Sequence, residues 1–452
     1  MKGIFRSFST VKSLLKNLDI EKLSALSQKV DLNEMVGIVS KMKEEDLAKM
    51  MKMMKAGSKP KLIPPINGDF YELGKTLPPE DREIQLAVRE FMEMEIRPIA
   101  NEYWNKAQFP MHIIPKMSEL NIAGLTYQGY GCPGKSALLE GFIAMEMARV
   151  DTSISTFFGV QSGLAMGSIY LCGSEEQKNK WLPKMQKLEC IGAFGLTEPE
   201  VGSAVAGGLH TTCKKEGDQW ILNGQKKWIG NATFSDITVI WARDLDDQQV
   251  KGFIVRKDTP GFTTKKMEDK MALRTVQNAQ ITLQDCVIDE KDRLQEAKSF
   301  KDTAEVLRMT RAGVAWQAVG CARGAYEAAL KYTNERVQFG KPIASFQLVQ
   351  DLLVTMLGDL TAMQAMVYRL SQMQDEGQLL DEHASLAKVF CTLRMRDIVD
   401  HARELFGGNG ILLEYDIARF VADAEAIYSY EGTKEINSLI VGRAITGHSA
   451  FV

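Results

Sequence analysis

Along this 452-residue chain the rhythm of apolar and polar positions changes twice, from helical to strand-like and back. From Pro78 to about Leu188 the spacing is helical. Glu80 to Met94 carries Ile84, Ala87, Val88, Phe91 and Met92, which predicts one buried stripe on a helix. A further helix is predicted from Glu175 to Leu188, after the breaker pair Gly173-Ser174. Between roughly 191 and 300 the texture becomes short β-branched runs, such as Thr238-Val239-Ile240-Trp241 and Gly252-Phe253-Ile254-Val255. Trp220-Ile221-Leu222 followed by Asn223-Gly224 predicts a two-residue hairpin, and Asp258-Thr259-Pro260-Gly261 predicts a turn. From about 303 onward, long helical stretches are predicted at Ala312–Gln338, Phe346–Glu376 and Ala384–Phe406, lengths that suit a bundle.

Helices, then strands, then helices predict an α+β multidomain chain: a helical domain over 63–190, a small β-barrel or sandwich over 191–302 and a helical bundle over 303–452. Residues 1–62 read as a candidate presequence, a helical extension and a linker. The first 18 residues carry Lys2, Arg6, Lys12 and Lys16, no acid, and apolar residues at helical spacing. Such a basic, hydroxyl-rich start is what a mitochondrial presequence needs and predicts the matrix; a retained surface helix, and with it a cytoplasmic protein, is the alternative. Residues 19–56 predict short amphipathic helices ending in Met50-Met51-Lys52-Met53-Met54, a partner surface or an ordinary packing face.

Composition then narrows the class. The chain is 45% hydrophobic and 25% charged, enough to bury full cores. Its 55 basic and 58 acidic residues nearly balance, which gives no footprint for nucleic acid. An anionic ligand therefore needs local basic groups. Seven dispersed cysteines and five histidines offer no ligand spacing, so no metal is expected. No apolar run is long enough to span a membrane.

Two short segments carry chemistry. Tyr430-Glu431-Gly432-Thr433 places a carboxylate in a Gly-flanked loop, suited to taking a proton from the carbon beside a thioester. Phe194-Gly195-Leu196-Thr197-Glu198-Pro199 suits a segment that borders a planar cofactor. Arg336-Val337-Gln338-Phe339-Gly340 supplies a guanidinium, which grips a pyrophosphate with paired hydrogen bonds. Gly407-Gly408-Asn409-Gly410 lets backbone approach a ligand closely, yet it follows a helix and not a strand, which excludes a Rossmann nicotinamide site.

In this order the motifs resemble the acyl-CoA dehydrogenase family, from about residue 65 to the end. The resemblance implies FAD as cofactor, an acyl-CoA substrate, Glu431 as the catalytic base and an electron-transfer flavoprotein as acceptor. It implies that Phe194, Leu196, Thr197 and Ser203 border the flavin, with Ser203 also near the CoA arm, and that Trp228, Ile229 and Gly230 form a second flavin wall. Trp228 as ordinary core is the alternative. Arg336, Phe339, Gln347, Glu404, Gly407 and Gly408 correspond to positions that reach the flavin of a neighbouring subunit, which implies a homotetramer. Beside the base, the resemblance implies Thr433 as a further cofactor contact, and Gly432 and Ser155 as substrate contacts. Arg311 matches a CoA contact, with an exposed helix arginine as its alternative.

Departures from the pattern are informative. Ala204 stands where Asp usually follows Gly-Ser, Gly230 where Thr is common and Glu404 where Gln is common. Arg274-Thr275-Val276-Gln277-Asn278 replaces the common Arg-Ala-Ser pattern. Val160-Gln161-Ser162 resembles glutaryl-CoA dehydrogenases, whereas Val276-Gln277-Asn278 resembles plant short-chain acyl-CoA oxidases. The position of the glutaryl enzymes' carboxylate-binding Arg falls on Ser155, which favours an uncharged acyl chain. The expected reaction is therefore dehydrogenation of an uncharged acyl-CoA to the trans-2-enoyl-CoA. A peroxide-forming oxidase, a glutaryl-CoA dehydrogenase and a non-catalytic scaffold are the alternatives.

Overall fold

The chain divides into two units, residues 1–62 and 63–452, and the computed structural model describes residues 68–450. The presequence, the 19–56 extension and the linker lie outside the described residues.

The first helical layer starts at α1 (Pro79–Phe91), whose Pro at the first position and acidic Glu80 and Asp81 match the needs of a helix N-terminus. Its buried face differs from the predicted stripe. Asp81, Gln85, Val88, Arg89 and Phe91 are buried, whereas Ala87 is exposed and Ile84 half-buried. The reason is a buried ion network that propensity does not report. Arg89 Nη1 lies 2.9 Å from Glu146 of α4 (Ala137–Val150). Arg149, also on α4, reaches Glu146 at 2.9 Å, Glu93 at 2.6 Å and Glu327 at 2.9 Å. Three cations around Glu146 outweigh its desolvation and hold its carboxyl down at about 2.

Between α1 and α4 lie α2 (Arg97–Lys106) and α3 (Ile113–Ser118); after α4 come α5 (Thr152–Gly159), α6 (Met166–Cys172) and α7 (Glu175–Gln186). Asp151 caps α5 by accepting from Ile154 N–H at 2.9 Å. A π-helical turn, Val160–Ala165, joins α5 to α6. Ser174 and Gln177 form a capping box at the start of α7.

The strand region forms one seven-stranded sheet: β1 (Gly192–Gly195), β2 (Thr212–Glu216), β3 (Gln219–Ile229), β4 (Ile237–Asp244), β5 (Val250–Arg256), β6 (Phe262–Lys266) and β7 (Ala279–Asp289). The order is β1-β4-β2-β3-β7-β6, with β5 on β4. β1 and β2 run parallel to β4; the other pairs are antiparallel. Inward residues such as Trp220, Ile240, Phe253 and Ile281 make the sheet's own core. The Asn223-Gly224 hairpin does not form. β3 runs straight through it, with a register shift against β7 between Leu222 and Gly224. Asn223 bonds across to Asp285 in both directions, and Gly224 is needed because a Cβ there would meet Thr211 Cα at 2.6 Å. The actual turn between β2 and β3 is at Gly217 and Asp218.

The last layer is a bundle built on α9 (Phe300–Glu335), with α10 (Gln347–Asp375), α11 (Asp381–Leu405), α12 (Ile417–Ser429) and α13 (Lys434–Thr446); a short α8 (Val205–Gly208) precedes β2. α9 begins well before the predicted Ala312, because Ser299 and Asp302 form a capping box. Gly320 and Gly324 let α9 press on α4: a Cβ would lie 2.4 Å from Met145 O and 2.2 Å from Arg149 O. Among the described residues no helix is long and apolar enough to cross a membrane.

Candidate active site

Glu431 sits where the chain turns from α12 into α13, at φ 50°, followed by Gly432 at φ 87°. Left-handed backbone at a glutamate is strained and needs support. Three groups supply it. Thr433 caps α13 by accepting from Ile436 N–H at 3.3 Å. Asn437 Nδ2 donates to Gly432 O at 2.8 Å and Thr433 O at 3.0 Å. Lys388 of α11, only 1% exposed, donates to Tyr428 O at 3.2 Å and Gly432 O at 2.6 Å, on either side of the glutamate. Burial lowers the Lys388 ammonium to about 8, with the Glu431 charge opposing the shift.

The Glu431 side chain is half-buried and lines a cavity of about 80 Å³. Thr310 of α9 donates to its Oε2 at 2.9 Å. Gly163 of the π-turn leaves room for that threonine, since a Cβ there would meet Thr310 Cγ2 at 3.0 Å. Burial raises the Glu431 carboxyl, while Thr310, Arg311 and Lys388 pull the other way. The result is a carboxylate more basic than one in water, held toward the cavity. Neighbouring Tyr430 donates to Gln317 Oε1, and Gln317 Nε2 donates to Ser155 O at 3.3 Å. Ser155 is 2% exposed and lines the cavity. Arg311 is no exposed helix arginine: its side chain is largely buried, Nη1 is 3.8 Å from Asp381, and Nε has no hydrogen-bond partner.

The second segment leaves β1 at Gly195. Lys227 N–H donates to Thr197 O at 2.8 Å, which ties this loop to β3 beside Trp228. Glu198 is structural. It accepts from His210 and Thr211 N–H at 2.7 and 2.9 Å, and from the buried Lys226 at 2.9 Å. Gln161 of the π-turn anchors the other end, accepting from Gly192 N–H at 2.6 Å and donating to Met185 O and Cys190 O. Trp228 is not core. Its side chain is 55% exposed at φ 68°, on a strand whose other tryptophan, Trp220, is buried. Phe194, Leu196 and Ile229 bury their side chains, so only their backbone can border a ligand. Ser203 is exposed in the loop before α8.

One element joins the two halves. Val160 opens the π-turn and would touch a Cβ on Gly230 at 3.3 Å, while Ser162 and Gly163 of the same turn line the Glu431 cavity. The Trp228–Gly230 wall and the carboxylate thus meet one turn of backbone, a geometry that π-turns often serve at functional sites.

A third group stands apart. Arg336, Phe339, Gln347, Glu404, Gly407 and Gly408 are exposed, Phe339 at 92%, and no hydrogen bond joins their side chains to Thr197 or Trp228. They form a patch of their own: β8 (Val337–Gln338) pairs with β9 (Lys341–Pro342), and Asn409 Nδ2 reaches Tyr332 Oη at 2.9 Å. Tyr332 stacks on Phe406 at 4.1 Å, which fixes the glycine turn beside the Arg336 hairpin.

Thr310, Gln317 and Lys388 carry the carboxylate's surroundings and were not legible as site residues. Lys388 alone left a trace, as a cation within an apolar helical pattern.

Comparison with known proteins agrees with this arrangement. The N-terminal, middle and C-terminal domain models of acyl-CoA dehydrogenase match residues 78–189, 193–286 and 300–446. The 3-(aryl)acrylate reductase of Clostridium sporogenes is 35% identical over 79% of this chain and 96% of its own. The mitochondrial short-chain specific acyl-CoA dehydrogenase of Mus musculus is 33% identical over 81% and 90%. Glutaryl-CoA dehydrogenase from Mycobacterium smegmatis, in a structure with FADH2, superposes with a TM-score of 0.82 at 34% identity, covering 85% of this chain and 99% of that one.

The chain belongs to the acyl-CoA dehydrogenase family. It is accordingly an oxidoreductase of FAD-dependent acyl-CoA dehydrogenation. Its residues fit the cofactor: an exposed indole beside Thr197 offers a flat apolar wall, and around Gly407 and Gly408 nothing lies within 4 Å of where a Cβ would be.

Proposed function

We propose that the protein dehydrogenates an uncharged acyl-CoA to its trans-2-enoyl-CoA, with Glu431 as the base that takes the α-proton. The observation that carries this is the Glu431 carboxylate, raised by burial and held by Thr310 on the wall of the cavity. Thr197, Trp228 and the backbone of Phe194, Leu196, Ile229 and Gly230 would hold the flavin, which supplies the acceptor for the β-hydride. Ser203 and Arg311 would receive the CoA arm. Arg311 Nε, buried without a partner, has a donor to offer. Gly432 and Thr433 hold the base, and the backbone N–H of Glu431 itself would steady the thioester oxygen.

The exposed patch of Arg336, Phe339, Gln347, Glu404, Gly407 and Gly408 supports assembly with a second copy, as in a homotetramer. Phe339 at 92% exposure is an apolar side chain in want of cover. The basic, acid-free first 18 residues support a mitochondrial matrix address, and membership of the family supports an electron-transfer flavoprotein as acceptor. Ser155, with no cation in its place, argues against a glutaryl substrate.

The test is anaerobic titration of the purified flavoprotein with acyl-CoAs. Butyryl-CoA should bleach the flavin and glutaryl-CoA should not. Glu431→Gln should keep the yellow cofactor and lose roughly 10²–10⁴-fold in bleaching rate. In the wild type, kcat/KM should rise with pH through a value above the ordinary carboxylate range, because only ionised Glu431 accepts a proton. An active Gln variant removes the assigned base, and peroxide formed at each aerobic turnover would show oxygen, not a flavoprotein, as the acceptor.

A further inference from the structure

A second carboxyl faces the same cavity and takes no part in the proton transfer. Glu140, in the first turn of α4, lines it together with Ser371 and Gln374 from the end of α10. This is the end away from Glu431. Thr310, bonded to Glu431, and Trp316, bonded to Ser371, both line it from α9 and stand about 9 Å apart along the helix axis at ~1.5 Å per residue. Trp316 Nε1 donates to Ser371 Oγ at 2.8 Å, which leaves the serine O–H free to donate elsewhere. Gly141 is what lets the indole close over this end, since a Cβ there would fall 2.2 Å from Trp316 Nε1.

Among the described residues Glu140 meets no cation. Its one charged neighbour is Asp375, an anion whose oxygens already accept from Ala137 and Leu138 N–H at 2.6 and 3.2 Å. Burial and that neighbour push its carboxyl up to about 7. Among the described residues no group donates to it, and its oxygens stay open to the cavity. A protonated carboxyl both donates and accepts, so its complement is a neutral group that does the same.

We propose that this end of the cavity selects acyl chains whose far terminus carries a neutral hydroxyl or carboxamide, with Glu140 as the specificity-determining partner. The proposal rests on the acyl-CoA reading above and deepens it. A terminal methyl offers nothing to Glu140, Gln374 or the Ser371 O–H, and a terminal carboxylate meets Glu140 and Asp375 as a third acid.

The experiment compares valeryl-CoA, 5-hydroxyvaleryl-CoA and glutaryl-CoA on the full-length holoenzyme, by flavin bleaching under anaerobic conditions. The hydroxylated thioester should be favoured over valeryl-CoA by about tenfold or more in kcat/KM, with glutaryl-CoA last. Glu140→Leu should reverse the first preference, and Glu140→Gln, which keeps a donor and an acceptor at the same place, should restore it. A wild type that prefers valeryl-CoA, or a preference unchanged in Glu140→Leu, overturns the proposal while leaving the dehydrogenase reading intact. Bleaching by none of the three, nor by butyryl-CoA, overturns that reading and this one with it.

Discussion

Glu146 and Glu140 lie less than two turns apart on α4, yet their carboxyls shift in opposite directions. Glu146 is fully buried among Arg89, Arg149 and Arg323 and is held down at about 2. Glu140 is less buried, has Asp375 for company and is pushed up to about 7. Burial raises both; the charged neighbours differ, three cations for Glu146 and the anion Asp375 for Glu140. The first region is closed, with each charge answered inside the fold. The second faces the cavity with Glu431, whose carboxyl accepts from Thr310, and there the two raised carboxyls are the ones proposed for binding and proton transfer. The contrast separates buried charge that holds the structure from buried charge that does chemistry.

The comparison breaks most visibly if the closed region is opened. Arg149→Ala removes the cation shared by Glu93, Glu146 and Glu327 and should cost about 3–5 kcal/mol, because three buried acids lose their common partner. Chemical denaturation would measure it; a cost below about 1 kcal/mol would show that the network adds nothing.

Lys388 is the intermediate case, since it braces structure in order to serve the site. Lys388→Met should leave Tyr428 O without its side-chain donor and Gly432 O with Asn437 alone, and let Glu431 drift. A loss of roughly 10²-fold in kcat is expected from misplacement of about 1 Å, with KM changed less. Equal losses in kcat and thermal stability, without that split, would reduce Lys388 to a structural residue.

The smallest effect sharpens the Glu140 side. Its folded-state value of about 7 lies above the unfolded 4.5, so the group's contribution to stability is complete below pH 4.5 and is lost as pH rises through 7. Glu140→Gln has no proton to lose. Its Tm should match the wild type at pH 4 and exceed it by a few degrees at pH 8. A shift of the same size at both values would locate the effect in packing and not in charge.

The same division governs what could be read in advance. Glu431 was legible because a carboxylate beside Gly432 and Thr433 is a local pattern, and Trp228 because its segment is continuous. Thr310 was not, since it meets Glu431 across 121 residues of sequence. The α1 stripe was misread for a related reason: Gln85 and Arg89 are polar by type and buried only because Glu146 waits on another helix. Asn223-Gly224 has hairpin chemistry, yet pairing of β3 with β7 overrode it and turned the Gly into a site of close backbone approach.

The sequence by itself determined the helix–strand–helix order, the helix caps and the reactive segments, because periodicity, capping and loop chemistry act between residues a few positions apart. Tertiary structure alone decided which acids are answered and which are left open. Arg149 finds Glu327 across 178 positions, Glu140 finds only Asp375, and the field at a carboxyl depends on distance in space.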